Sequence, residues 1–519
     1  MTTAQRWVIT ATVLGSGIVF LDSTVVNVAL PRIGSELKSS FFATLEAQSY
    51  VYNGYLLSLS ALLILAGALS DRYGRRRMYV WGLLGFGLTS ALCGLAPNLD
   101  ILILARVLQG IAGALLVPGS LALINSGFSR AEQGRAFGLW SAASAVTTIL
   151  GPMVGGVLVD TLSWRIAFLI NVPLVLLALY ALRHVPESQA ETSGRFDWLG
   201  AMVVALAVGG LAYGGIRGQE RDWQDLSAFV ALGIGAVATV IFPIWIARAP
   251  DPLVPPALFR SRNFAAINLS TFLIYGALYV SGYYQSLFFQ GTLGYTALAA
   301  GLVGLPSGVF LALFSARVGS LVNRYGTRFF LTAGPGLMAL GTLWLARIPP
   351  TSEPWRARAE TPATLLPSSG YLVDVLPGIL IFAAGLSLLV APLTAALMSS
   401  VPQERSGLGS AINNAVSRVG PQLAGALIFI AITASFYGDL GARVPGLAVN
   451  SSAVRRQIAP LNRPAPGVPP ETAQAAREAS TRAFHLAMLL CVGLLVGGAL
   501  VNGLGLEGSE SVASSKEVG

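Results

Sequence analysis

Three ionisable side chains stand inside apolar stretches of this 519-residue chain: Asp22, Arg106 and Arg418. Charge in such surroundings is costly, and side chains kept there tend to have work to do. Asp22 is the carboxylate set well inside a predicted span, and Arg106 and Arg418 are the cations expected to be buried. Asp22 lies eight residues before Leu30, at one predicted helix end, and Arg106 six residues after Asp100, at another. At 1.5 Å per residue both sit on the order of 10 Å below the same surface, so they are placed to pair. Two readings follow. Asp22 is a structural partner that neutralises Arg106, or it is an acid that is charged when paired and neutral when occluded, which would couple proton entry to a change of access.

A second group of charges lies in a turn. Gly67-Ala-Leu-Ser-Asp71-Arg72-Tyr-Gly74-Arg75-Arg76-Arg77 returns as Gly319-Ser-Leu-Val-Asn323-Arg324-Tyr-Gly326-Thr-Arg328, 252 residues later, with six of ten aligned positions the same. Both copies fall between predicted membrane helices, so the chain reads as a duplication, the pattern of bundles that rock about a central site. Within the first copy Asp71 and Arg75 stand four apart and are placed to pair, while Gly67 and Gly74 permit a close helix approach and a tight turn. A plain positive anchor would account for Arg75, Arg76 and Arg77, but not for Asp71 or the two glycines.

These side chains need helices to hold them. With 54% hydrophobic and 11% charged residues and a mean hydropathy of +0.67, the chain is far from the roughly 25% charge of soluble domains. The apolar residues come in blocks of about 20, enough to cross about 30 Å of hydrocarbon. Fourteen such blocks are predicted, near 7–30, 47–69, 78–96, 100–124, 136–159, 165–182, 198–214, 228–247, 265–289, 296–316, 328–346, 373–396, 407–436 and 483–504. An even count puts both termini on one side. Arginine placement in the short turns makes that side cytoplasmic, with Arg72, Arg75, Arg76, Arg77, Arg130, Arg135, Arg324 and Arg328 among the inner set and only Arg32, Lys38, Arg165, Arg217 and Arg221 in short outer turns.

Several chemistries are excluded. Neither lysine, Lys38 or Lys516, sits in a phosphate-binding loop, and His184, His485, Cys93 and Cys491 have no metal-ligand spacing. No cofactor, metal or enzymatic activity is expected, and no basic patch suggests nucleic acid. The first apolar block reads as a retained helix and not a cleaved signal.

The motifs together resemble the fourteen-helix drug:proton antiporters of the major facilitator superfamily. Leu21-Asp22-Ser-Thr24-Val-Val-Asn27-Val-Ala-Leu30-Pro31 is similar to that family's helix 1, Gly67 to Arg77 to its loop between helices 2 and 3, and Arg106-Val-Leu-Gln109-Gly110-Ile-Ala-Gly113 to its helix 4. Gly151-Pro152-Met-Val-Gly155-Gly156, followed by Trp164 to Pro173, resembles its helix 5 antiporter motif, with Thr147 where the fuller pattern has glycine and Asn323 where the second loop copy has an acid.

The resemblance implies an all-α membrane protein of two pseudo-symmetric six-helix bundles, 1–184 and 260–506, with two inserted helices in 185–259, long outer loops 347–372 and 437–482, and a tail 507–519. It implies proton coupling through Asp22 and Arg106. It implies a gate of Gly67, Asp71, Arg72, Gly74, Arg75 and Arg76 that latches the outward-facing state, with Asp71 near a helix N-terminus of the other half. A flexible helix 5 contact would come from Gly151, Pro152, Gly155 and Gly156. The cavity candidates are Thr24, Asn27, Tyr50, Asn53, Gln109, Tyr279, Tyr283, Gln285 and Phe289. The expected partners are protons, a small amphiphilic substrate and the lipid bilayer, for a monomer in the cytoplasmic membrane. The proline-rich first part of 437–482 is expected to be disordered, and the Ala/Glu/Arg run at its end to extend the last helix outward. A dedicated exporter of one endogenous metabolite or lipid, and a non-transporting membrane sensor, are the alternative readings.

Overall fold

The computed structural model describes residues 1–519 apart from 41–43, 189–195, 221–224, 359–360, 466 and 508–519. In hydrocarbon every backbone N–H and C=O must be satisfied within the protein, which leaves helices as the solution for apolar blocks of this length. Every predicted apolar segment falls on helix. The helices are α1 (Thr3–Glu36), α2 (Thr44–Tyr73), α3 (Arg75–Gly94), α4 (Leu99–Gly113), α5 (Leu116–Gly127), α6 (Arg130–Thr161), α7 (Ile166–Leu169), α8 (Asn171–Leu182), α9 (Trp198–Glu220), α10 (Leu226–Arg248), α11 (Ala257–Arg260), α12 (Arg262–Leu287), α13 (Ala297–Val303), α14 (Leu305–Tyr325), α15 (Thr327–Leu345), α16 (Leu376–Ser399), α17 (Ser406–Arg443), α18 (Ser452–Gln457) and α19 (Pro470–Gly505). Among the described residues, ten helical stretches are long and apolar enough to cross a membrane.

Sequence sets many of the helix ends. Thr2 and Gln5 form a reciprocal capping box at the start of α1, and the Asn98 side chain accepts the N–H of Ile101 at the start of α4. Gly74 separates α2 from α3 at φ 103°, a conformation that side chains resist. Large apolar residues such as Leu88, Leu104, Val240 and Leu427 face outward, whereas Thr12, Ser16, Asp22, Ser90, Arg106, Gln109 and Asn171 are buried. That inversion of the soluble pattern is what a lipid solvent selects.

Helices α1 to α8 pack on one another, α12 to α19 form a second packed group, and α9 and α10 pair with each other while α9 touches both α2 and α17. The two groups meet through α2 against α17 and α6 against α14. The first residue of each duplicated turn makes one of these crossings. A Cβ on Gly67 would stand 2.5 Å from the carbonyl oxygen of Gly407, and one on Gly134 would stand 2.5 Å from that of Gly319.

The outer loop corrects an expectation. Its first part is folded, with α17 running on to Arg443 and α18 interrupting the loop, while the outward extension of the last helix begins at Pro470, in agreement with the Ala/Glu/Arg run. The Tyr437 hydroxyl donates to Ile458 O at 3.0 Å, and Thr292 Oγ1 donates to Leu461 O at 3.2 Å. Arg482 Nη1 and Arg443 Nε both bind Asp439, at 2.6 and 2.8 Å, and Arg443 also pairs with Glu478. These ties between α17 and α19 supply order that the proline-rich composition does not reveal.

Candidate functional site

Asp22 and Arg106 meet. Arg106 Nη1 donates to Asp22 Oδ2 at 2.6 Å, and both side chains are 0% exposed. The pair belongs to a closed polar cage. Arg106 Nη1 also reaches Gln109 Oε1 at 2.7 Å, and Arg106 Nε donates to Val51 O at 3.0 Å. The other carboxylate oxygen, Asp22 Oδ1, accepts Gln109 Nε2 and Asn171 Nδ2, each at 3.1 Å. Ser90 Oγ accepts from the same two amides, at 3.2 and 2.9 Å, and donates to Phe168 O at 2.9 Å. The Arg106 guanidinium lies over the Tyr55 ring at 4.1 Å, a further contact that favours the cation.

The local sequence builds this cage in steps. Arg106 and Gln109 are three apart on α4 and so share a face. Asp22 arrives from α1, Ser90 from α3 and Asn171 from the first turn of α8. An apolar shell that includes Val25, Ala29, Val51, Leu102, Trp164 and Phe168 excludes water around it. In that setting a lone charge would cost several kcal/mol, and the shared hydrogen bonds offset this cost. Arg106 Nη2 and Asn171 Oδ1 have no hydrogen-bond partner among the described residues.

Sequence reasoning found Asp22 and Arg106 but missed Ser90 and Asn171. Their signal is a neutral polar residue in an apolar block, weak until the helices are assembled. Gln109 was expected in a cavity and is instead part of the cage. Arg418 was expected to be buried with Arg106; it is half-buried, and Arg75 is the second cation at 3% side-chain exposure, compensated by Asp71.

The duplicated turn forms a second site, at the arginine-rich end. Asp71 accepts the backbone N–H groups of Gly407 and Leu408 at 3.0 and 2.8 Å, in the first turn of α17. Arg75 Nε lies 3.2 Å from Asp71 Oδ1, and Arg75 Nη2 also donates to Gln403 O. Glu187, absent from the expected site, accepts the N–H groups of Arg76 and Arg77 at 2.9 and 3.0 Å and caps α3 against Gly74. Arg72 lies over the Phe196 ring at 6.0 Å.

The other candidates scatter. Thr24 Oγ1 bonds back to Leu21 O at 2.9 Å, and a Cβ on Gly151 would overlap that hydroxyl, so Thr24 and Gly151 form the α1–α6 crossing. Gly155 presses on Val25 at the same crossing. Asn27 falls on α1, and Pro152 and Gly156 fall on α6, where the backbone alone is described. Tyr50 is half-buried with Arg217 at 5.6 Å over its ring, and Asn53 and Gln285 are half-buried. Tyr279 and Tyr283 are exposed, whereas Phe289 is buried and packed against Tyr295 at 5.2 Å.

Comparison with known proteins agrees with this architecture. Residues 12–425 match the family model described as Major Facilitator Superfamily. The chain is 34% identical over 431 residues to the multidrug resistance protein Stp of Mycobacterium tuberculosis (strain CDC 1551 / Oshkosh), covering 82% of this chain and 76% of the relative. It is 30% identical over 444 residues to the methylenomycin A resistance protein of Streptomyces coelicolor, covering 85% and 88%. The solved structure of the proton:xylose symporter XylE superposes with a TM-score of 0.56 at 17% identity, over 94% of this chain and 95% of that one.

Proposed function

The chain belongs to the Major Facilitator Superfamily and is an integral-membrane transporter, not an enzyme, and on that premise we propose that it exports amphiphilic small molecules in exchange for protons. The observation that carries the reading is the cage around Asp22, in which a carboxylate removed from water is held by one arginine and two amides. Such a group has two states of different charge. With Asp22 ionised, Arg106 is neutralised and the cage is complete. With Asp22 protonated, the carboxyl becomes a donor, and rotation of the Asn171 amide presents Oδ1, free of other partners among the described residues, to accept that proton. Arg106 then loses its counter-charge, which favours a rearrangement of α1 against α4.

In this reading the all-α fold has two six-helix bundles and two inserted helices, fourteen crossings in all, with both termini cytoplasmic. The chain works as a monomer in the cytoplasmic membrane. The arginine-rich end, closed by Asp71 on α17 and by the two glycine crossings, faces the cytoplasm, so the structure is an inward-closed state. Protonation of Asp22 and release of the Asp71 latch are alternate steps of one cycle. Export of antimicrobial compounds is supported by the relatives, which include a multidrug resistance protein and a methylenomycin A resistance protein.

The test uses everted membrane vesicles energised to hold a pH gradient, with a panel of dyes, biocides and antibiotics added to wild type and to Asp22→Asn. Substrate-induced collapse in the wild type that disappears in the variant is the expected result. Collapse that persists in Asp22→Asn overturns the assignment of Asp22. No response to any compound in the wild type turns the reading to a dedicated metabolite exporter or a sensor.

A further inference from the structure

Arg418 is a charge that the cage does not use. It lies on α17, twelve residues after Ser406, which at 1.5 Å per residue is about 18 Å into the helix. It is half-buried and forms no ion pair or hydrogen bond with a described residue. Two helices packed against α17 carry tyrosines, Tyr52 on α2 and Tyr279 on α12. Arg418 lies eleven residues after Gly407 and seven after Ala411, on the one stripe of α17 that meets Gly67 of α2, and so it faces the seam between the two bundles.

No acid is available to neutralise it. The sequence has no Asp or Glu between Arg262 and Leu345, between Leu376 and Ser399, or between Ser406 and Gly438. Away from the block ends, where Asp100 and Asp374 lie, the one carboxylate of the apolar blocks is Asp22, and Arg106, Gln109 and Asn171 already occupy both of its oxygens. The charges of Asp22, Arg106 and Arg418 thus leave one net positive charge at mid-membrane depth. A chain gains nothing in stability from an uncompensated arginine in low dielectric, and such residues mark substrate paths. A guanidinium presents a planar fork of donors that fits a carboxylate, and neighbouring tyrosines suit the apolar or aromatic body behind it.

We propose that Arg418 is the anchor for an anionic group on the exported molecule, so that the cargo class is the amphiphilic organic acid, held by Arg418 with Tyr52 and Tyr279 beside its apolar body. This rests on the transporter reading for its direction of movement, but the binding site is testable without turnover. The probes are 1-pyrenebutyrate and its methyl ester, which share an aromatic body and differ in charge. Binding of each to purified full-length protein is measured by equilibrium dialysis for wild type, Arg418→Gln and Arg418→Lys, with melting temperature and elution volume as folding checks. Loss of a charge-assisted bond should weaken binding of the acid about tenfold in Arg418→Gln. Arg418→Lys should recover part of it, and ester binding should stay unchanged. Equal binding of the acid by wild type and Arg418→Gln, or ester bound by wild type as tightly as acid, overturns the proposal. The same probes in energised everted vesicles separate the two readings. Arg418-dependent acid binding with no movement of either probe sinks the transporter reading and leaves the anion site standing, whereas Asp22-dependent export of the ester with Arg418-independent acid binding does the reverse.

Discussion

The carboxylate of Asp71 accepts the backbone N–H of Leu408 at 2.8 Å across 337 residues of sequence. Asp71 thereby does for α17 what a capping residue does within one helix, satisfying donors that the first turn leaves open and placing negative charge at the positive end of the helix dipole. Arg75 sits beside it on Oδ1, the oxygen that also accepts the N–H of Gly407, so the contact between the bundles is a three-part arrangement of anion, cation and helix end.

Asp71→Ala should therefore open the arginine-rich end. The change removes two charge-assisted hydrogen bonds and leaves Arg75 buried without its acid, and a net loss of about 2 kcal/mol would move the closed-to-open ratio by roughly thirtyfold. Spin labels at Arg135 and Ser320, both exposed and next to the Gly134–Gly319 crossing, should shift to a longer distance in the variant. An unchanged distance distribution would show that the latch does not hold the bundles together.

Within the cage, Arg106→Met should destabilise the protein by about 3–5 kcal/mol, because it strands Asp22 as an unpaired buried anion. The double variant Asp22→Asn with Arg106→Met should recover much of that stability and none of the transport. Arg106→Lys should not restore function, since one ammonium cannot reproduce the fork that reaches Asp22, Gln109 and Val51 together. Thermal unfolding in detergent, read alongside vesicle transport, checks both halves; equal stability of single and double variants would mean that the pair is not coupled.

How far the sequence carried the site depends on the kind of signal. Asp22 and Arg106 were legible because charge in an apolar block has few explanations, and their depths could be counted along two helices. Ser90 and Asn171 were not, because neutral polar residues are tolerated in membrane helices and nothing in the spacing ties Asn171 to an acid 149 positions earlier. Glu187 was hidden for the same reason, its cap on α3 being a contact across 111 residues. Thr24 shows a third limit. Its place on α1 was clear, but whether its face meets a cavity or α6 depends on a crossing that only the assembled glycines of α6 define. The duplicated turn and its resemblance pointed Asp71 to a helix N-terminus of the other half but not to which one, since nothing in the repeat ties Asp71 to Gly407 and Leu408 of α17.

Gly151→Ala should impair transport through the α1–α6 crossing. The added methyl overlaps Thr24 Oγ1, so either the Thr24 rotamer or the helices must move, at a cost of about 1–3 kcal/mol. Thr24→Ala in the same chain removes the hydroxyl but keeps Cβ, so rescue should be partial. Transport rate and melting temperature of the two single variants and the double variant form the cycle. Strict additivity would mean that the two residues do not share the crossing.

At the start of α6 the pH dependence has a definite sign. Hydrogen bonds from Ser129, by side chain and backbone, and from Gln5 hold the Glu132 carboxyl below its ordinary value of 4.5. A group whose folded value is depressed adds stability above its unfolded value and loses that contribution as the pH falls through the folded one. Glu132 accepts Gln5 Nε2 at 3.0 Å, and Gln5 in turn caps α1, so the first turns of α1 and α6 share one carboxylate. Near neutral pH, Glu132→Gln should raise amide exchange in residues 3–6 severalfold relative to wild type. Below the depressed folded value, and so further into acid than the ordinary glutamate range, the two proteins should converge, because protonation makes the same change in the wild type. Hydrogen exchange measured across that range on the detergent-purified protein checks it, and a difference that persists or grows in acid would show that the glutamate charge is not what holds the two helix starts together.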